Sequence, residues 1–168
     1  MHAIVRTSTP DFELVKQLAW RVLEENSIVT PPINAAALAK TYGIEAFEAV
    51  FNPGYDHIAG FINFEANKIL VNAKEHHARK NFTIAHELGH LLLGHNKENG
   101  YTVLLRNPDP RYKTPVEQEA NVFAANVLVP TPFLQEWLNR YTFATDKQLA
   151  KVFGVSEEVI HYRRLYLR

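Results

Sequence analysis

Residues His86-Glu87-Leu88-Gly89-His90 spell HExxH. In a helix of 3.6 residues per turn, two His four apart stand one above the other on the same face. Two imidazoles so placed can grip one Zn²⁺. The Glu between them can then act as a base toward water that the metal activates. The composition gives roughly a 3% chance of one such pentapeptide arising at random, so the zinc reading also requires a helix and a third ligand further along.

Two residues can supply that third ligand, Glu117 and Glu119, both on a helix opened by Thr114-Pro115-Val116-Glu117. Glu117 shares a face with Asn121, four residues on, and with Ala124. That face would present Glu117 to the metal and Asn121 to the other ring nitrogen of a ligand histidine. Glu117 is also the third helical residue after Thr114, where a Glu closes a capping box. In that case Glu119 becomes the ligand. Spacing alone leaves both open.

The remaining polar residues near the motif have blander readings. A metzincin site carries a third His six residues after the second, with Gly at the midpoint. Here those positions hold Asn96 and Leu93. His95 is therefore expected to cap the helix C-terminus. His76 and His77 read as a solvated pair. Arg79, seven residues before His86, falls two turns back on the same stripe. It would bind substrate carbonyls or pair with Glu75.

The elements that must position these residues follow from turn and capping signals. Thr9-Pro10-Asp11 predicts a helix start with Pro10 at the first helical position. Pro31-Pro32 breaks the chain, and a short helix from Asn34 ends at Tyr42-Gly43. Ile44–Val50, Ile58–Phe64 and Lys68–Val71 read as strands. Asn72-Ala73-Lys74-Glu75 has a capping-box layout and predicts the start of the motif helix, which Gly94 stops. Ala78, Phe82, Ala85, Gly89 and Leu92 form its core stripe. Residues 95–113 read as a loop, with Asn107-Pro108-Asp109-Pro110 as its least regular part. Helices follow from Thr114, from Thr131, over Asp146–Phe153 and over Glu157–Leu167. LAKTYG (Leu38–Gly43) echoes LAKVFG (Leu149–Gly154), which two helices ending on the same glycine cap explain. Strands in the middle surrounded by helices predict an α+β fold: a small, mostly antiparallel sheet packed on the HExxH helix. We expect one domain over residues 1–168, with residues 145–168 as a helical hairpin within it.

Composition narrows the function classes. Lys plus Arg equals Asp plus Glu at 18 each, which argues against a protein built to coat nucleic acid. The chain has no cysteine, so any zinc must be held by His, Asp or Glu, as in catalytic sites. Mn²⁺ and Fe²⁺ accept the same donors. No apolar run at the N-terminus resembles a secretory signal, and none is long enough to span a membrane. The expected location is cytoplasmic.

The stretches RKNFTIAHELGHLLLGH (Arg79–His95) and EQEANVFAANVLVP (Glu117–Pro130) resemble the ImmA/IrrE-type metallopeptidases. So do the preceding IAGFINFEANKILVN and the tail LAKVFGVS with its Tyr-Arg-Arg-Leu helix. The second fingerprint ends Leu128-Val129-Pro130, where the family usually has Leu-Leu-Met-Pro. The resemblance implies a gluzincin-like fold and a zinc endopeptidase that cleaves a helix-turn-helix repressor, releasing prophage, mobile-element or stress genes. It places the third ligand four residues before the Asn of the Ala-Asn pair, at Glu117. Glu87 would then be the catalytic base, with His86, His90 and Glu117 on the metal. A further donor to the developing oxyanion is expected among Tyr55, His57, Tyr101, Tyr112 and Arg79. The substrate is expected to lie along an exposed strand edge, Ile58–Phe64 or Lys68–Val71.

Two other classes compete. Helix–Gly-Val-Ser–helix with His161, Arg163, Arg164 and Arg168 resembles a DNA-binding helix-turn-helix. An interaction module would keep the metal site without turnover, but it has no need of Glu87.

Overall fold

The computed structural model describes residues 9–95, 101–105 and 114–167, with 101–105 described as backbone. Seven helices and four strands occur among them, in the order α1 (Phe12–Glu25), α2 (Ala35–Thr41), β1 (Glu45–Ala49), β2 (Ile58–Asn63), β3 (Lys68–Asn72), α3 (His77–Leu92), β4 (Tyr101–Leu105), α4 (Pro115–Leu128), α5 (Thr131–Arg140), α6 (Asp146–Phe153) and α7 (Glu157–Leu165). The expected α+β arrangement is what the chain adopts. Tyr112 and Arg168, the side chain of Tyr101, and Asn107–Pro110 lie outside the described residues.

The sheet has the order β1-β3-β2-β4. β2 runs antiparallel to both β3 and β4, while β1 joins β3 in parallel. Ile62, Ile69 and Val71 are buried on its inner face, while Phe47, Phe61 and Leu70 line up across the other. α3 packs on this inner face and against α2 and α4, and α1 covers α4. Gly60 lets α3 come this close to β2. A Cβ there would lie 2.6 Å from Thr83 Cγ2 and 2.7 Å from the Leu70 carbonyl. The β2–β4 register slips between Ile58 and Gly60, a bulge that leaves both Ala59 and Gly60 buried.

Three expectations are corrected. Residues 95–113 do not form a loop throughout, because Tyr101–Leu105 pairs with β2 as an edge strand. The predicted substrate edges, Ile58–Phe64 and Lys68–Val71, are the two interior strands; the sheet edges are β1 and β4. α3 does not start at Asn72. Asn72 ends β3, its amide bonding the Ile58 carbonyl and its Oδ1 accepting from Lys74 N–H. The helix begins four residues later, where His76 Nδ1 accepts from Ala78 N–H.

The capping residues otherwise follow local chemistry. Asn34 caps α2, Thr114 caps α4 with Pro115 behind it, and Thr145 with Gln148 forms a capping box on α6. At α1 the cap is Asp11, not Thr9. Its carboxylate accepts from Leu14 N–H, and Pro10 stays outside the helix. α2, α3 and α6 all terminate through left-handed glycines: Gly43, Gly94 and Gly154. In each, the amide two residues past the C-cap of α2 and α3, and one past that of α6, returns to a carbonyl five residues back. The bonds are Ile44 N–H to Ala39, His95 N–H to His90 and Val155 N–H to Ala150. The LAKTYG/LAKVFG echo is this shared stop.

Candidate metal centre

The motif lies where α3 is buried on every side. Residues 83–90 are all buried, including His86, Glu87 and His90 at 1% exposure or less. A polar cluster in such a place must be internally satisfied, since each unpartnered buried polar group costs about 1–3 kcal/mol. The partners come from α4 and from the turn after α3.

The helical period brings the two imidazoles together as expected. Nε2 of His86 and Nε2 of His90 are 3.0 Å apart. Glu117 arrives from the first turn of α4, with one oxygen 3.3 Å from His86 Nε2 and the other 3.3 Å from His90 Nε2. Thr114 still caps the Glu117 N–H, so the backbone half of the capping interaction forms while the carboxylate turns to the histidines. Burial pushes the Glu117 carboxyl up, but its contacts with the two imidazoles outweigh burial. The group is held well below the usual carboxylate range.

The outer nitrogens fix the tautomers. Asn121 Oδ1 lies 3.0 Å from His86 Nδ1. An amide oxygen only accepts, so Nδ1 carries the proton and, in the neutral ring, Nε2 a lone pair. On the other side His90 Nδ1 meets His95 Nδ1 at 3.0 Å, and His95 Nε2 meets Glu119 Oε2 at 2.7 Å. A carboxylate accepts, so a neutral His95 donates from Nε2 and accepts at Nδ1. His90 then donates from Nδ1 and keeps its Nε2 lone pair.

With both rings neutral, two imidazole lone pairs and a carboxylate converge. Among the described residues, His86, His90 and Glu117 are the group whose ligand atoms lie together, all within 4.8 Å. Ligands held tetrahedrally at 2.0–2.1 Å stand about 3.3 Å apart, close to the spacings here. The donor set fits a divalent cation.

Other predicted residues lie elsewhere. Glu119 faces away from the cluster, bonding His95 and accepting the Asp11 backbone N–H at 2.8 Å. Arg79 is half-buried near the start of α3, where its carbonyl accepts from the Thr83 hydroxyl. The rings of Tyr55 and His57 stack on each other. His76 and His77 are exposed neighbours, as read from the sequence. His95 departs from its expected role: its side chain is 2% exposed and serves His90 instead of a helix end. The sequence signal for it was Gly94. A left-handed residue there folds His95 back over His90.

The terminal hairpin uses its basic residues internally. Arg163 is buried, donating to the Val129 carbonyl and the Thr131 hydroxyl, and Arg164 pairs with Asp146. Burial lowers the Arg163 pKa to about 10. Arg163 and Arg164 thus tie α7 to its own fold, to the end of α4 and to the start of α6.

Residues 39–164 match the family described as the IrrE N-terminal-like domain. This chain belongs to that family. Among curated relatives it is 33% identical over 82 residues to the radiation response metalloprotease IrrE of Deinococcus radiodurans, covering 49% of this chain and 25% of that protein. It is 30% identical over 97 residues to metallopeptidase ImmA of Bacillus subtilis, covering 58% and 56%. A solved Mycobacterium tuberculosis transcriptional regulator shares the fold with a TM-score of 0.68 at 17% identity, over 90% of this chain and 46% of that one. The matches thus span from a quarter to just over half of these relatives. The IrrE-like match takes in α3 and α4, and so the whole His-His-Glu cluster. No helix among the described residues is long and apolar enough to cross a membrane.

Proposed function

We propose that this chain is a zinc-dependent endopeptidase in which His86, His90 and Glu117 hold the ion and Glu87 moves the proton. The observation that carries the proposal is the convergence of two imidazole nitrogens and a carboxylate where α3 and α4 cross. An ion held there supplies Lewis acidity toward a carbonyl and makes water acidic enough to ionise near neutral pH. Zinc suits two imidazoles and a carboxylate; Mn²⁺ and Fe²⁺ are the alternatives.

The chain's own residues do the rest. Glu87 follows His86 directly and is fully buried, so its carboxylate is shielded from bulk water. It takes a proton from the attacking water and returns it to the leaving nitrogen. Asn121 and His95 hold the imidazoles in the ligand tautomer. Among the described residues β4 is an edge strand, and it packs beside α3. An extended substrate segment adds there, in place of the interior strands expected from the sequence. The substrate in this reading is a helix-turn-helix repressor, as the resemblance noted from the sequence implies, and the site of action is the cytoplasm.

The test is incubation with a helix-turn-helix repressor encoded beside this gene, with and without chelator. Cleavage that chelator stops and zinc restores supports the proposal. An intact repressor under all conditions removes that substrate, and chelator-insensitive cleavage removes the mechanism.

A further inference from the structure

The residue after the stop glycine distinguishes α3 from its siblings. In α2 and α6 the amide that closes the same turn belongs to Ile44 and Val155, buried apolar side chains that seal the helix end. That contact is ordinarily hydrophobic. In α3 the position is His95, equally buried at 3%. A buried imidazole there is costly unless both nitrogens are partnered. They are: Nδ1 by His90 and Nε2 by Glu119. The far oxygen of Glu119 is held in turn by the Asp11 N–H at the start of α1. A continuous path thus runs from α1 through α4 and the α3 stop turn to His90.

We infer that His95 and Glu119 are positioning residues that lock His90 in the tautomer able to bind metal. The direction of the path is fixed at its outer end. Glu119 accepts twice, from His95 Nε2 and from Asp11 N–H, so a neutral His95 presents a lone pair to His90. His90 then directs its own lone pair at the ion. Neither residue touches the metal or the substrate. Their contribution is metal retention, and it follows from the metal reading above.

Zinc affinity, measured by chelator competition on His95→Phe, His95→Gln and Glu119→Gln, tests this. Phe fills the ring volume without an acceptor. Gln offers one acceptor and one donor. His95→Phe is expected to weaken zinc binding about 10–100-fold, the usual effect of removing such a partner. His95→Gln recovers most of that loss. Glu119→Gln, which can satisfy only one of its two donors, falls between. Unfolding of each variant in excess chelator reports the metal-free fold, and the Co²⁺ absorption spectrum reports ligand geometry. A merely structural role lowers the unfolding temperature in chelator but leaves affinity and spectrum unchanged. If His95→Phe does not fold, Glu119→Gln carries the test, since its side chain sits at the rim at 18% exposure. Zinc affinity within twofold of the native chain in the folded variants overturns the inference. Failure of the native chain to bind zinc overturns it together with the metal reading, a separate and recognisable result.

Discussion

Gly89 of α3 and Phe123 of α4 meet at the crossing of the two helices that carry the candidate ligands. A Cβ on Gly89 would lie 2.8 Å from Phe123 Cδ1 and 3.2 Å from its Cβ. Phe123 is fully buried and has nowhere to retreat. The glycine inside HExxH therefore sets the distance from which Glu117 reaches the two imidazoles.

Gly89→Ala forces the helices apart. Overpacking of this kind costs about 1–3 kcal/mol, partly offset by the better helix propensity of alanine. Thermal unfolding and zinc affinity should both decline, because the displaced helix carries Glu117. A variant with native zinc affinity would show that the crossing distance does not matter to the cluster.

Glu87→Gln keeps the shape of the side chain and removes its basicity. The variant should bind metal as the native chain does and lose cleavage by at least about 10²-fold, in keeping with the contribution of a general base. Retained cleavage would remove Glu87 from the mechanism.

Arg163→Met tests the staple between α7 and the end of α4. It leaves the Val129 carbonyl and Thr131 hydroxyl without their donor, a cost of about 1–3 kcal/mol in urea unfolding. Lysine should not rescue it, because the donors of an ammonium radiate from one atom, whereas Nε and a terminal nitrogen of the guanidinium reach the two acceptors separately. Binding to duplex DNA should be equally weak before and after the change. A specific, salt-sensitive complex lost in the variant would revive the DNA-binding reading.

Metal removal should destabilise the fold without dissolving it. The ligands are joined to a core containing Leu88, Phe123 and Val127, which should hold together when the ion is removed. Free zinc at about 100 times Kd adds about 2.7 kcal/mol, so the unfolding temperature should rise with zinc concentration. An unfolding temperature independent of zinc and chelator would count against a bound ion.

The legible part of the site is the part with a local period. His86 and His90 are four residues apart, as are Glu117 and Asn121, and the helix delivers both pairs to one centre. The choice between Glu117 and Glu119 was not legible from spacing. Two residues apart on one helix they face different ways, yet both find histidine partners, Glu117 at His86 and His90 and Glu119 at His95. Only the crossing of α3 and α4 separates them. β4 was missed for a related reason. Tyr101–Leu105 is rich in strand-forming residues, but its partner lies some 40 residues upstream and leaves no local trace. The start of α3 was misplaced because Asn72 serves a strand end and a turn as readily as a helix cap.

The central claim is that one ion sits between His86, His90 and Glu117. Crystals of the zinc-soaked chain, with anomalous scattering recorded on both sides of the zinc edge, test it most directly. The account predicts one strong anomalous peak within about 2.0–2.2 Å of Nε2 of His86, Nε2 of His90 and a carboxylate oxygen of Glu117. A peak elsewhere, or imidazoles that close on each other with no ion between them, would contradict it.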